Sequence, residues 1–213
     1  QLMKPIPGLD ALLQRGKVKE IKAETQAALD EGYSPKEVLE EALMSAMAIV
    51  GEKFKNNDIY VPEMLIAARA MNASLAVLKP HIVTGDITER GTVILGTVKG
   101  DLHDIGKNLV KIMMEGKGLT VIDLGVDVAA ERFIEAATDH GARVIAASAL
   151  LTTTMAEMSN VVKAAETAGV RDSVAIMIGG APVTESYKTQ IGADYYASDA
   201  TSAADIAVRI CGE

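Results

Sequence analysis

One histidine lies between two carboxylates and two glycines in the segment Val98–Lys107, which reads VKGDLHDIGK. A histidine that binds a metal usually donates its other ring nitrogen to a carboxylate, which fixes the tautomer and strengthens the ligand. Asp101, two residues before His103, can supply that carboxylate from the same loop. Gly100 and Gly106 would let a bulky planar group approach the backbone closely. The spacing therefore makes His103 a candidate metal ligand.

The elements around this segment predict a parallel sheet. Short β-branched runs alternate with amphipathic stretches of helical length, which is typical of strand–helix crossover units. Right-handed connections then give a doubly wound, five-stranded sheet, with ligands bound outside the carboxyl ends of the strands. The segment with His103 follows the first strand directly. The predicted strands are Thr92–Thr97, Thr120–Leu124, Val144–Ser148, Val174–Ile178 and Asp194–Tyr196, and the helices are Ile105–Glu115, Ala129–His140, Met155–Ala168 and Ser202–Ile210.

The residues before the sheet have a helical period. Leu9–Arg15 and Val18–Asp30 read as helices, and a third helix has a capping box at Ser34 with Pro35 at its first position. A fourth begins near Val61, so four helices with short connections predict an antiparallel bundle. The fold class is thus α plus α/β. The predicted domains are a helical cap over residues 1–84, a glycine-bracketed linker over 85–91 and an α/β domain over 92–213.

Composition excludes several classes of protein. The chain has 213 residues, of which 49% are hydrophobic, and a net charge of −8 without a basic stripe, so nucleic-acid binding is not expected. No apolar run approaches the roughly 20 residues of a membrane span. The single cysteine, Cys211, excludes an internal disulfide and suits a reducing cytoplasm. We therefore expect a cytoplasmic protein without nucleic-acid or membrane partners.

Two nucleotide-binding motifs fail on spacing. Gly100 and Gly106 enclose five residues and Lys107 is followed by Asn108, whereas a P-loop needs four residues and then Lys-Ser or Lys-Thr. No Gly-x-Gly-x-x-Gly follows the first strand. A divalent-metal hydrolase built on Asp101, His103 and Asp104 stays open as a distant alternative, although three ligands within four residues form a cramped site.

The segment DLHDIG from Asp101 to Gly106 matches the Asp-x-His-x-x-Gly signature of cobalamin-binding domains. Two further segments, SALLTTT at Ser148–Thr154 and GGAP at Gly179–Pro182, resemble the second and third signatures of that family. The chain is most similar to its methyl-carrying branch, which includes the corrinoid proteins of methyltransferase systems and the cobalamin module of methionine synthase. The helical bundle resembles the cap domain of this branch, so the resemblance covers almost the whole chain.

The resemblance implies the site residues. His103 would replace the cofactor's own lower base as the axial ligand of cobalt, with Asp101 and a hydroxyl, here Thr154, completing a ligand triad. The displaced nucleotide tail would run between the first helix of the α/β domain and the sheet, and two cap methionines would shield the upper face of the corrin. The full set of predicted cofactor-binding residues is Asp101, His103, Asp104, Ile105, Gly106, Ser148, Leu150, Thr152, Thr154, Gly179, Gly180, Ala181, Met64 and Met71.

The function implied is that of a carrier. The chain would bind cobalamin or a related corrinoid as a methylcobamide and would carry the methyl group without being a catalyst by itself. Its partners would be a substrate-specific methyltransferase, an acceptor methyltransferase delivering to tetrahydrofolate or a thiol, and a corrinoid-reactivating protein. The donor would be a methylamine, methanol, betaine or an aryl methyl ether. A B12-dependent sensor or a mutase subunit is the alternative within the cofactor class.

Overall fold

The computed structural model describes residues 8–81 and 90–212, and these residues form two compact units, 8–81 and 90–212. Residues 85–89 of the predicted linker lie outside the described residues.

The first unit is helical throughout. Three connections within it are short, in agreement with the predicted helical bundle. Its elements are α1 (Leu9–Gln14), α2 (Val18–Asp30), α3 (Pro35–Glu37), a π-helical segment (Val38–Met44), α4 (Ser45–Lys55), α5 (Val61–Leu78) and a final 3₁₀ turn (Lys79–His81).

The start of the third predicted helix is confirmed. Ser34 Oγ accepts a hydrogen bond from the Glu37 amide at 3.1 Å, and Glu37 Oε2 accepts one from the Ser34 amide at 2.9 Å. The two bonds satisfy amides that have no partner within the helix. The π-helical Val38–Met44 between α3 and α4 was not predicted. The apolar spacing of the sequence predicts an inner face for this segment that includes Val38, Leu39, Ala42 and Leu43, and all four side chains are buried.

Helix α5 is apolar around most of its circumference. Among the described residues it is the one helix that is long and apolar enough to cross a membrane by length and composition. It packs against α1 and α2 and buries Met64 and Met71, as the core helix of a helical unit does. The apolar pattern of the sequence predicts Leu65 on the buried face of this helix, which is wrong, since Leu65 is 38% exposed while Ala67 and Ser74 are buried. A helix that is apolar all round gives periodicity no basis for choosing its buried face.

The second unit contains the predicted parallel sheet. Every neighbouring pair of strands is parallel, and the order across the sheet is β2-β1-β3-β4-β5. The predicted strands agree with the observed ones to within one residue at each end. The strands are β1 (Thr92–Thr97), β2 (Thr120–Asp123), β3 (Val144–Ser148), β4 (Ala175–Gly179) and β5 (Tyr195–Ala197).

Helices cover both faces of the sheet. Helices α6 (Ile105–Gly116) and α10 (Ala200–Cys211) pack together over one face. Helices α7 (Ala130–His140) and α8 (Ala156–Thr167) pack over the other, around a core that includes Phe133. A further helix, α9 (Glu185–Ile191), was not predicted. Its seven residues are too few to show a helical period.

Candidate functional site

The site lies where the direction of the sheet reverses. Strands β1 and β3 are neighbours, but β2 lies beyond β1 and β4 lies beyond β3. The loops that follow β1 and β3 therefore leave the sheet in opposite directions and open a crevice at the carboxyl ends of the strands. The register aligns Thr97 with Ser148 and Ser148 with Gly179, so three predicted motifs meet at this edge.

The Asp101 carboxylate joins the two loops. The side chain is fully buried, and its Oδ1 accepts hydrogen bonds from the His103 amide at 3.1 Å and from His103 Nδ1 at 2.9 Å. Its Oδ2 accepts bonds from the Leu150 amide at 2.8 Å, the Leu151 amide at 3.3 Å and Thr154 Oγ1 at 2.8 Å. The predicted bond between Asp101 and His103 is thus present, and the structure brings all three members of the predicted triad together.

These contacts determine the charge of Asp101. Burial by itself raises the pKa of the carboxyl group, because it penalises the ionised form. Hydrogen bonds from the Leu150 and His103 amides, the His103 ring and the Thr154 hydroxyl outweigh burial and hold the pKa well below its usual range. An ionised carboxylate only accepts hydrogen bonds, so Nδ1 of His103 carries the proton of this contact.

The Nε2 edge of the His103 ring is open. The side chain is 52% exposed, and no hydrogen bond to its Nε2 is present among the described residues. When the ring is neutral and Nδ1 carries the proton, Nε2 has a free lone pair. The arrangement offers one imidazole nitrogen, already oriented by a buried carboxylate, to a ligand from the crevice.

Backbone contacts hold this loop in place. Thr97 Oγ1 donates to the His103 carbonyl at 2.8 Å, the Asp127 amide donates to the Asp101 carbonyl at 3.0 Å, and the Gly100 amide donates to Asp127 Oδ1 at 2.7 Å. Asp127 has a positive φ of 51°, which Asn and Asp tolerate better than most residues. Asp127 was not singled out in the sequence, since nothing local links it to a loop 26 residues earlier.

A cavity of about 560 Å³ extends from the exposed side of His103 between the sheet and helices α6 and α10. Its lining contains most of the residues predicted to bind the cofactor. Those residues are His103, Asp104, Ile105, Gly106, Ser148, Leu150, Gly179, Gly180 and Ala181.

Three features of the lining fit a bulky cofactor. A Cβ on Gly106 would meet nothing within 4 Å, so the fold leaves open space where the motif has no side chain. Gly180 has φ +129°, and a Cβ there would lie 1.8 Å from the Ala149 carbonyl oxygen, so the close approach of two loops requires glycine. The half-buried Ser148 hydroxyl lines the cavity and makes no hydrogen bond within the described residues. The residues present therefore fit a corrinoid with its nucleotide arm.

The remaining predicted residues lie elsewhere. Asp101 and Thr154 are buried behind His103, outside the cavity lining, and Thr152 is exposed in the loop after β3 and does not line it. Met64 and Met71 are buried in α5 of the helical unit, 0% and 3% exposed. Their role over the corrin stays a prediction.

Two contacts that support the site were not predicted from the sequence. Lys107 is 4% exposed, and its Nζ donates to both carboxylate oxygens of Asp123 at 2.7 Å and to Asn108 Oδ1 at 3.1 Å. Burial raises the pKa of Asp123, but the contact with Lys107 outweighs it, and the net pKa is lowered. Tyr187 of α9 donates its hydroxyl hydrogen to the Met155 carbonyl at 2.7 Å, next to the loop that carries Thr154.

The geometry argues against the hydrolase alternative. Within residues 8–81 and 90–212, no three His, Cys, Asp or Glu side chains are placed to share a metal ion. Asp101 turns both of its oxygens to His103 and to the β3 loop, and Asp104 is exposed at the start of α6. The three proposed ligands therefore do not form a common site.

Comparison with known protein families agrees with this geometry. Two family profiles, each described as a B12 binding domain, match the chain. One matches residues 91–207, which contain the sheet and the cavity, and the other matches residues 8–79, which contain the helical unit.

Individual relatives give the same result. The chain is 37% identical over 192 residues to a corrinoid protein of Desulfitobacterium hafniense, covering 89% of each chain. It is 40% identical over 186 residues to trimethylamine corrinoid protein 1 of Methanosarcina acetivorans, covering 86% of each. The methanol:cobalamin methyltransferase complex MtaBC of Methanosarcina barkeri contains a chain that matches with a TM-score of 0.87 and 28% identity, over 99% of this chain and 81% of that one. The protein therefore belongs to the cobalamin-binding corrinoid proteins of methyltransferase systems, and a corrinoid is its cofactor.

Proposed function

We propose that this chain is a methyl carrier that takes a methyl group from one methyltransferase and delivers it to another. The observation that carries the proposal is the chain of contacts from Thr154 through Asp101 to His103 at the mouth of the cavity. When bound, the corrinoid supplies a cobalt that accepts and releases a methyl group. The chain itself would supply His103 as a ligand of cobalt, the arm cavity and the docking surface, and it would not be a catalyst by itself.

His103 would hold cobalt through Nε2, since Nδ1 is engaged by Asp101. Asp101 would fix the tautomer and orientation of the ring and strengthen it as a ligand, as carboxylate partners of metal-bound histidines do. Thr154 and the Leu150 amide would keep Asp101 ionised and in place. Ser148, Gly179 and Gly180 line the cavity that would receive the nucleotide arm.

The donor we propose is a methylamine or methanol. One of the corrinoid proteins to which the chain is similar is named for trimethylamine, and one structural match is to a methanol:cobalamin methyltransferase complex. The acceptor methyltransferase would deliver to tetrahydrofolate or a thiol, and a corrinoid-reactivating protein would be the third partner. All of these act in the cytoplasm in this proposal.

We also propose that the helical unit is the cap domain, with residues 1–84 as its extent, 85–91 as the linker and 92–213 as the cofactor domain. The match of residues 8–79 to a B12 binding domain supports this role, and Met64 and Met71 would supply flexible apolar side chains that adapt to irregular partners. In this arrangement the cap would exclude water and oxidants from the upper face of the corrin.

Reconstitution of the His103→Gly variant tests the axial ligand. With its nitrogens isotopically labelled, the wild-type chain takes up a stoichiometric corrinoid, and the paramagnetic cobalt(II) form shows the hyperfine splitting of a labelled nitrogen, which distinguishes a protein ligand from the cofactor's own base. The variant loses that splitting and binds at least roughly tenfold more weakly, as for other losses around a metal ligand.

His140→Gly is the matched control, because His140 is exposed at the end of α7 and does not line the cavity. It keeps the splitting and the affinity. A His103→Gly protein whose nitrogen splitting equals that of the wild type would overturn the assignment of this ligand.

A further inference from the structure

We propose that the inner end of the cavity selects cobamides whose lower base is an apolar aromatic ring, such as a benzimidazole, over those that carry adenine. The inference rests on the proposed function, since it concerns the nucleotide arm of the corrinoid. It assigns a specificity to five residues that belong to none of the three motifs: Leu95, Val110, Ala146, Met177 and Ala203. We call this set the inner chamber.

The register places the inner chamber deep in the crevice. Leu95, Ala146 and Met177 are partners across β1, β3 and β4, two residues before the row of Thr97, Ser148 and Gly179 that ends these strands. Side chains two residues apart in a strand share a face, so this row continues the cavity floor away from His103. Val110 and Ala203 lie about one turn inside the starts of α6 and α10 and form the walls.

The inner chamber offers no hydrogen-bonding side chain. Strands β1, β3 and β4 each have a neighbour on both sides, so their amides and carbonyls are used within the sheet. Three other cavity-lining residues alternate with the two rows along the strands. They are Ala147, Ile178 and Tyr196, and they belong to, or pack against, the core around Phe133 on the opposite face of the sheet. The polar lining residues His103, Asp104, Ser148, Ser198 and Asp199 all lie toward the carboxyl ends of the strands.

Lys107, the buried cation of the cavity wall, adds no free hydrogen-bond donor to the inner chamber. Lys107 Nζ has three hydrogens, and the structure places three acceptor oxygens around it, two from Asp123 and one from Asn108. Its donors are therefore engaged on the side of β2 rather than by a base in the chamber. What Lys107 contributes to the cavity is its methylene chain.

The chemistry of the two bases then determines the preference. Adenine carries an exocyclic amino group and more ring nitrogens than benzimidazole, and all of them are hydrated in water. Moving such groups into a site without partners is unfavourable, whereas an apolar edge gains from burial against Leu95 and Met177. An apolar pocket distinguishes ligands of similar shape that differ by a polar group by roughly tenfold to a hundredfold.

Titration of the full chain with three corrinoids tests the proposal: a benzimidazolylcobamide, an adeninylcobamide and cobinamide, which lacks the nucleotide. Dissociation constants are measured for each, together with the splitting of the cobalt(II) form by isotopically labelled protein nitrogen, because the base of a cobamide can itself coordinate cobalt through nitrogen. We expect the adenine form to bind at least roughly tenfold more weakly than the benzimidazole form, with His103 ligation in both. Equal or tighter binding of the adenine form overturns the proposed selectivity.

The same data separate this proposal from the proposed function. If none of the three corrinoids shows splitting from His103, the carrier function fails at its ligand, whatever the order of affinities. If cobinamide and both cobamides show the splitting but the two cobamides bind equally, the function survives and the selectivity fails.

A variant locates the selectivity in the chamber. Ala203→Leu fills space in the wall and is expected to weaken the benzimidazolylcobamide at least roughly tenfold while changing cobinamide binding less than threefold. Val208→Leu adds volume to α10 outside the cavity lining and leaves both affinities unchanged. Two results for Ala203→Leu contradict the proposed chamber. One is an equal loss of affinity for cobinamide and cobamide. The other is unchanged cobamide affinity in a variant that retains the circular dichroism spectrum of the wild type.

Discussion

Thr154 shows how one side chain supports the whole site. It is 7% exposed, and its Oγ1 lies 2.8 Å from Asp101 Oδ2 and 3.0 Å from the Leu151 carbonyl oxygen. Its methyl group faces Gly100, where a Cβ would be 3.5 Å from Cγ2, an ordinary contact distance. The threonine therefore keeps the hydrogen bond that the resemblance assigns to a hydroxyl at this position, because the methyl group has room beside a glycine.

Replacing Thr154 with valine keeps the shape of the side chain and removes the hydroxyl. Asp101 then loses one of its five hydrogen bonds, and the free energy of unfolding falls by about 1.5–3 kcal/mol, as for other bonds to a buried charge. Urea unfolding of the corrinoid-free protein, followed by circular dichroism, measures the change. Thr154→Ser retains the hydroxyl and serves as the control, with a loss below about 1 kcal/mol. Equal losses in the two variants would assign the effect to packing instead of the hydroxyl.

Helix α6 serves the core and the cavity with different faces. Leu109, Met113 and Met114 are buried, whereas Gly106 and Val110 line the cavity. Its N-cap residue Asp104 makes no side-chain cap hydrogen bond, so the helix begins without the usual local stabilisation. The residues at the start of α6 therefore leave room for a ligand and do not maximise the stability of the helix.

The Gly106→Ala variant separates the stability of α6 from its role in leaving space for the corrinoid. Alanine stabilises a helix relative to glycine by about 0.5–1 kcal/mol, and a Cβ at this position meets nothing within 4 Å, so the corrinoid-free protein becomes more stable. The same methyl group enters the cavity and weakens corrinoid binding at least roughly tenfold. Thermal unfolding and corrinoid titration measure the two effects. A variant that binds corrinoid as the wild type does would show that this space is not needed by the ligand.

The sequence predicts those elements whose signals are local. The strands around Thr92 and Val144 and the Asp101–His103 contact follow from short-range patterns, and the structure confirms them. Helix α9 and the contact of Lys107 with Asp123 were missed, since one is short and the other joins residues 16 positions apart. The inner chamber was also missed, because its lining depends on strand register, which no single segment encodes.

At the scale of the whole molecule, the cavity belongs to one unit. Every residue of its lining lies between Leu95 and Ala203, inside the unit of residues 90–212, and so do Asp101 and Thr154. The family match to residues 91–207 has nearly the same bounds. Ligand binding and protection of the ligand are thus assigned to different parts of the chain in the proposed function.

A fragment of residues 90–213 is therefore expected to bind corrinoid with His103 as ligand and an affinity within roughly tenfold of the full chain, because every contact of the cavity is retained. It loses the methyl group faster under light and air, since the proposed cap residues Met64 and Met71 are gone. Titration, the nitrogen splitting and the rate of spectral change under illumination measure the three properties. The full chain with Met64→Ala and Met71→Ala serves as the comparison, since it keeps both units. Equal light sensitivity of the fragment and the full chain would remove the protective role from the helical unit and leave the binding site as described.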